Sequence, residues 1–248
     1  MPKQVVDGFE YDTIGFVEAL MCGEVLPHCQ PVIDLQSGGI HSWELLARWL
    51  HPDYGILYPA CFVAGVKKDS LDVALALTLF EWGLKWRPVS TAARLAVNVG
   101  GAGLAEPGLG RYFQQIATRY GCDLSALILE VSESDIVSNL DAARRNLLSL
   151  KQLGCAISID DYGAGYADRN LRDLMPVDAV KLDQSLIGGA RHCKEKRERL
   201  QEDVVRFRQL GLEIVAEGVS DVVDVENCRA MGIGLGQGFG LSYGGMFF

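Results

Sequence analysis

The sequence predicts an α/β fold in which about eight strands close into a (β/α)8 barrel, with one antiparallel strand near the N-terminus. Short apolar runs recur near residues 29, 41, 95, 127, 156, 179, 213 and 234. Amphipathic helices separate these runs, and 248 residues suit a barrel of this kind. An open doubly wound sheet is the structural alternative, although the sequence contains neither of the two usual glycine-rich nucleotide-binding loops.

The first sixty residues contain a predicted hairpin. Residues 31–35 form an apolar run, Ser37, Gly38 and Gly39 follow it, and a second run begins at Ile40. Ser-Gly-Gly between two apolar runs is a turn signal. We therefore expect one early strand to lie antiparallel to its neighbour.

Predicted helices occupy the intervals between the later strands. Apolar residues recur at helical spacing over residues 72–86 and 109–119. Asn139 is placed to cap a helix that ends at Gly154, and a charged helix covers residues 194–210. Both of these last helices end in Gln-Leu-Gly, which indicates repeated helix–strand units.

Acids or an amide stand at the ends of several predicted strands. The residues concerned are Asn98, Glu130, Asp160, Asp161 and Glu217. The runs that lead to them are continuously apolar, which is typical of parallel strands covered on both faces. One such acid is usually the N-cap of the next helix, but several at one rim would repel one another unless cations lay between them. The pattern predicts a metal site.

The predicted ligands are all oxygen donors, which favours Mg²⁺ or Mn²⁺ over zinc. The four histidines, at positions 28, 41, 51 and 192, lie outside this set and are expected to pack or to face solvent. Asp160 and Asp161 are adjacent at a strand end and can contact two ions. Two neighbouring cations suit the in-line attack of water on a phosphodiester.

Lys181 lies between Val180 and Leu182 in an apolar run. An unpaired buried ammonium is costly, so we expect this lysine beside the carboxylates at the barrel mouth. There it can orient the attacking water or stabilise phosphoryl charge. An edge strand with Lys181 in solvent is the alternative.

Composition restricts the class of protein. A formal net charge of −9 argues against binding to a nucleic-acid polymer, although bound cations can make an acidic pocket accept a small phosphate. Seven scattered cysteines suit reduced thiols better than disulfides. The sequence has no apolar signal region and no stretch long enough to span a membrane, so we expect one cytoplasmic domain over residues 1–248.

With these residues in place, the chain resembles the EAL-domain family of cyclic di-GMP phosphodiesterases over nearly its whole length. The Glu-Ala-Leu signature appears here as Glu44, Leu45 and Leu46. Further matches follow in the same order at residues 30–31, 97–99, 130–133, 160–166, 176–183, 216–219 and 237–239. The resemblance implies a TIM-like barrel with one antiparallel strand, hydrolysis of cyclic di-GMP to linear pGpG, two Mg²⁺ or Mn²⁺ ions per site, and a homodimer.

The resemblance also implies a role for each matching residue. One ion would be held by Glu44, Asn98, Glu130 and Asp160. The second would be served by Asp160 and Asp161, with Glu217 and Gln237 close to the ions or their water. Glu44 and Glu217 would also serve catalysis, and Lys181 would assist the attacking water. Arg48 would bind a substrate phosphate, Gln30 and Gln237 would contact the substrate, and Glu133 would brace the loop that follows Asp161.

Three segments depart from the family pattern. Ala167, Asp168 and Arg169 stand where two serines and a leucine are usual, and residues 67–69 read Lys-Lys-Asp where paired glutamates are common. Residues 240–245 replace the usual aromatic and proline ending, so base contacts there are expected to differ. Two alternatives follow: a catalytically weak or inactive cyclic di-GMP receptor or protein-interaction module, and a phosphodiesterase for another small nucleotide.

Overall fold

Eight strands join edge to edge into a closed barrel in the computed structural model, which describes residues 6, 8–86, 93–132, 135, 140–163 and 175–246. The barrel strands are β1 (Val25–Asp34), β2 (Ile40–His51), β4 (Arg94–Asn98), β5 (Leu127–Ser132), β6 (Ala156–Tyr162), β7 (Ala179–Leu182), β8 (Glu213–Ala216) and β9 (Leu235–Gly236). Two short strands lie outside the barrel: β3 (Gly55–Leu57) pairs antiparallel with β2, and β10 (Gly245–Met246) pairs antiparallel with β1.

Strand β1 closes the barrel and is antiparallel to both of its barrel neighbours, β2 and β9. The other adjacent barrel strands are parallel to one another. The predicted barrel with one antiparallel strand is therefore confirmed, and the doubly wound sheet is excluded. Because β1 runs against the others, its N-terminal residues lie toward the mouth where the parallel strands end, and Gln30, near the middle of β1, is in register with Glu44.

Helices surround the barrel. Their bounds are α1 Thr13–Cys22, α2 Pro59–Lys68, α3 Asp72–Trp86, α4 Gly101–Leu104, α5 Leu109–Arg119, α6 Leu140–Gln152, α7 Gln184–His192, α8 Lys194–Gln209 and α9 Val222–Met231, with a 3₁₀ turn at Leu124–Ala126. The helices predicted at 72–86 and 109–119 are confirmed, and α8 ends one residue before its predicted end. The predicted cap Asn139 lies outside the described residues.

Local sequence explains how these elements form and end. In α5, Leu109, Phe113 and Ile116 recur at helical spacing and are buried in the hydrophobic core. Helices α6 and α8 are followed by Gly154 and Gly211, which adopt left-handed φ values of +95° and +74°. Glycine takes this conformation without a steric penalty, so the chain can turn from helix into strand.

Three histidines follow the expectation from the sequence. His51 packs among aromatic rings that include Phe9, His192 is exposed, and His41 is half-buried with its Nε2 3.6 Å from Glu213 Oε1. His28 differs and belongs to the site described below. Across the described ranges, every helix is too short or too polar to cross a membrane.

Candidate metal centre

Lys181 lies at the centre of an acidic cluster in the barrel mouth. Its Nζ is 2.8 Å from Glu217 Oε1, 3.0 Å from Asp160 Oδ1, 3.2 Å from Glu130 Oε2 and 3.3 Å from Glu44 Oε2. The side chain is 1% exposed, and β7 is flanked by β6 and β8. This burial excludes the edge-strand alternative for Lys181.

Four carboxylates share this one ammonium group, so the cluster carries an excess of negative charge. Burial disfavours the charged form of Lys181, but the surrounding carboxylates outweigh that effect and raise its pKa well above the usual range. Burial, reinforced by neighbouring acids, raises the pKa of Glu130 well above its ordinary value. The same causes raise the pKa of Glu217 to about 7. A divalent cation would relieve this repulsion.

Glu44 differs from its neighbours because two amides donate to it. Gln237 Nε2 lies 2.6 Å from Glu44 Oε2, and Asn98 Nδ2 lies 3.1 Å from Glu44 Oε1. Burial acts to raise the pKa of Glu44, but Lys181 and these two hydrogen bonds together lower it. Glu44 is therefore held as a carboxylate although its side chain is buried.

Two overlapping groups of acids have the spacing of metal ligands. One contains Glu44, Glu130 and Asp160, and the other contains Asp160, Asp161 and Glu217. Asp160 belongs to both groups. Within each group the candidate ligand atoms lie within 4.8 Å of one another.

The donor chemistry of the cluster fits a hard divalent cation. Every candidate ligand atom is an oxygen, which suits Mg²⁺ or Mn²⁺. Among the described residues, the buried Oδ1 of Asp160 and Oε1 of Gln237 have no hydrogen-bond donor, and the ion pair of Asp160 with Lys181 lacks hydrogen-bond geometry. Each of these oxygens can accept a cation without losing a hydrogen bond.

A distortion at the end of β6 separates the two neighbouring aspartates. The pairing of β6 with β7 shifts between Ile159 and Tyr162. Between these residues, Asp161 adopts φ +56°, a left-handed conformation that is unusual for a residue other than glycine. Strain of this kind concentrates at functional sites. The distortion allows two consecutive acids to serve the same cluster.

A cavity of about 520 Å³ opens beside the acids. Its wall includes Gln30 and Arg48, which the resemblance assigns to substrate binding. The Arg48 guanidinium lies 4.8 Å from the ring centroid of Tyr58 and donates to Ala47 O at 2.8 Å. These contacts fix a buried cation beside an acidic pocket, which is an arrangement suited to a bound phosphate.

Several residues of the site were not predicted from the sequence. His28 lines the cavity, and burial together with nearby Arg48 lowers its pKa, so the ring is neutral at pH 7. Tyr58 orients Arg48, and Tyr243 lies at the cavity rim. The antiparallel direction of β1 is the signal that could have placed His28 at the mouth. Glu133 and the departures at residues 167–169 lie outside the described residues.

Comparison with known proteins agrees with this geometry. The model of the family described as the EAL domain matches residues 16–243. A cyclic di-GMP phosphodiesterase of Pseudomonas aeruginosa is 34% identical over 219 residues, which cover 85% of this chain and 36% of the relative. The cyclic di-GMP phosphodiesterase RocR of the same species is 27% identical over 243 residues, covering 96% of this chain and 62% of the relative. The chain thus spans only part of these relatives.

Solved structures share the fold. The PaMucR phosphodiesterase in complex with c-di-GMP superposes with a TM-score of 0.85 at 28% identity, covering 94% of this chain and 96% of that one. The FimX EAL domain from Pseudomonas aeruginosa bound to c-di-GMP gives a TM-score of 0.84 at 22% identity, with coverage of 95% and 97%. The second likeness supports the barrel fold alone.

Proposed function

The chain belongs to the EAL domain family, and from this membership we propose that it hydrolyses one phosphodiester bond of cyclic di-GMP to give linear pGpG, with Mg²⁺ or Mn²⁺ as cofactor. The observation that carries the proposal is the gathering of Glu44, Glu130, Asp160 and Glu217 within 3.3 Å of Lys181 beside an open cavity. The substrate is taken from relatives that are named for it.

The two groups of acids support a proposed pair of cation positions. Glu44, Glu130 and Asp160, with the amide oxygen of Asn98, would hold one ion. Asp160 and Asp161, with Glu217, would hold the other. Bound divalent ions supply Lewis-acid stabilisation of the phosphoryl oxygens and lower the pKa of bound water.

The protein's own groups act on the water and on the phosphate. Glu217 lines the cavity beside Lys181, so its carboxylate would be placed to accept a proton from the attacking water. Lys181 remains a cation beside Glu217 and orients that carboxylate. Addition of water across one P–O bond leaves a terminal phosphate on one nucleoside and a free hydroxyl on the other, which is the linear dinucleotide.

Arg48 is placed to hold a phosphate oxygen during this reaction. It is 5% exposed, yet it lines the cavity, and Tyr58 supports its planar guanidinium. A planar guanidinium offers two parallel donors to a phosphate, which fixes the orientation of the substrate.

A turnover assay tests the proposal. The purified protein is incubated with cyclic di-GMP and either Mg²⁺ or Mn²⁺, and the product is identified as pGpG by chromatography and mass. Glu44→Ala is expected to abolish turnover, and Glu226→Ala is the matched control because Glu226 is exposed on α9. If no product forms with either ion although cyclic di-GMP still binds, the result would contradict the proposed hydrolysis and favour the alternative that the protein is a cyclic di-GMP receptor.

A further inference from the structure

Two aromatic rings form a stacked pair on the rim of the acidic cavity. The centroids of Phe239 and Tyr243 are 5.3 Å apart, and their planes are inclined by 18°. Both residues line the cavity that contains the candidate metal ligands. Phe239 is 40% exposed and Tyr243 is 73% exposed. Since Phe239 covers one face of the Tyr243 ring, this exposure leaves the other face open.

The backbone that carries Tyr243 is closely packed, although its side chain is exposed. A Cβ at Gly240 would lie 2.3 Å from the carbonyl carbon of Ser220, and a Cβ at Gly244 would lie 2.4 Å from the carbonyl oxygen of Cys29. Gly244 also adopts φ +67°, and β10 then pairs with β1. Only glycines fit at these two positions, so the segment holds Tyr243 in a defined place.

The chemistry of the rim complements that of the cavity floor. The floor provides acids for cations and Arg48 for a phosphate, but these groups do not distinguish a nucleotide from another phosphodiester. A flat aromatic face binds a base by stacking, at about 1–3 kcal/mol per base in alanine-substitution measurements on single-stranded nucleic-acid complexes. Stacking of Phe239 on Tyr243 fixes the platform before a base arrives.

We propose that Tyr243, supported by Phe239, is the stacking platform for one base of the cyclic dinucleotide, and thereby favours a nucleotide over other phosphodiesters at this site. This inference rests on the proposed function, because it takes cyclic di-GMP as the ligand. Tyr243 belongs to the segment in which the sequence departs from the family pattern, so the platform is a property of this chain.

Substitutions at Tyr243 separate stacking from other roles. Tyr243→Ala removes the ring, whereas Tyr243→Phe keeps the ring and removes only the hydroxyl. Tyr112→Ala is the matched control, since Tyr112 is 39% exposed on α5 and does not line this cavity. Tyr243→Ala is expected to raise KM for cyclic di-GMP about tenfold. Its kcat is expected to stay within about twofold of the wild-type value, because stacking acts alike on bound substrate and transition state.

Binding in EDTA, measured by isothermal titration calorimetry, distinguishes the two proposals. A wild-type protein that binds cyclic di-GMP without turnover contradicts the proposed function, and a tenfold weaker Kd for Tyr243→Ala would still support the platform. Equal KM and Kd for Tyr243→Ala and the wild type would overturn the platform. Equal losses in Tyr243→Ala and Tyr243→Phe would also overturn it, because the hydroxyl would then be responsible. A wild-type protein that neither binds nor cleaves cyclic di-GMP contradicts both.

Discussion

Lys181 Nζ lies 2.8 Å from Glu217 Oε1 in the mouth of the barrel, and the lysine side chain is almost completely buried. The two residues come from neighbouring positions in the sheet: Lys181 from β7, and Glu217 from the residue after β8. Lys181 also contacts three further carboxylates. Removal of its charge would leave buried acids facing one another with no counter-ion within the described part of the cluster.

Lys181→Met is therefore expected to destabilise the metal-free protein strongly. Loss of one partner from a buried ion pair costs about 3–5 kcal/mol, because the remaining charges are uncompensated. Mg²⁺ is expected to restore part of this loss, since a cation again lies among the acids. Denaturant unfolding in EDTA and in Mg²⁺ measures both effects. Lys194→Met is the control, because the Lys194–Glu198 pair is exposed. If metal-free Lys181→Met were as stable as the wild type, Lys181 would not be needed to neutralise the surrounding carboxylates, which would contradict this account of the cluster.

Asn98→Asp tests the charge balance from the opposite direction. The Asn98 amide donates to Glu44 at 3.1 Å and to Glu130 at 3.4 Å. An aspartate there replaces a donor with a further carboxylate, so the melting temperature in EDTA is expected to fall. The increase in melting temperature on adding Mg²⁺ is expected to exceed that of the wild type, because the cation then neutralises one more acid. Asn98→Ala removes the donor without adding charge, and an equal Mg²⁺ response in both variants would refute this explanation.

Asp161→Gly separates stability from metal binding. The left-handed backbone of Asp161 costs a non-glycine residue about 1 kcal/mol, which glycine avoids. The variant is therefore expected to unfold at a higher denaturant concentration than the wild type, while it loses turnover and binds metal more weakly. Asp161→Asn keeps the side-chain shape and removes the charge, so it should lose turnover and gain only the stability that comes from relief of repulsion in the acidic cluster, which is less than Asp161→Gly gains. A large loss of stability in Asp161→Gly would show that the carboxylate has a structural role.

Gly238→Ala tests the link between the C-terminal segment and the cluster. A Cβ at Gly238 would lie 2.2 Å from the carbonyl oxygen of Val219, so the segment must shift and withdraw Gln237 from Glu44. We expect turnover to fall at least tenfold, because the free energy of a charge-assisted hydrogen bond, about 1.5–3 kcal/mol, corresponds to at least that change in rate. Gly188→Ala is the control, because a Cβ there meets no atom within 4 Å and α7 gains helix propensity. Normal turnover in Gly238→Ala would show that the Gln237–Glu44 contact is dispensable.

The sequence was most informative where strands are parallel and buried. Such strands are continuously apolar, so the acid or amide that follows each run stands out, and the pattern alone places Asn98, Glu130 and Glu217 at one mouth. Lys181 was found by the same reasoning, because a cation within an apolar run needs partners. In both cases a polar residue is conspicuous because the strand around it is otherwise apolar.

Residues that depend on tertiary packing could not be found in this way. Glu44 lies inside the twelve-residue strand β2 rather than at its end, so only the family resemblance identified it. His28 reaches the cavity because β1 runs against its neighbours. Tyr58 and Tyr243 lie outside the barrel strands, where no periodic pattern indicates the direction of a side chain.

Anomalous scattering from crystals grown with Mn²⁺ would decide whether the barrel mouth is a two-ion centre. We expect one anomalous peak among Glu44, Asn98, Glu130 and Asp160, and a second beside Asp160 and Asp161, each with metal–oxygen distances of about 2.0–2.3 Å. Saturating Mn²⁺ with no peak at either position, and with Lys181 still the only cation among these acids, would refute the metal centre.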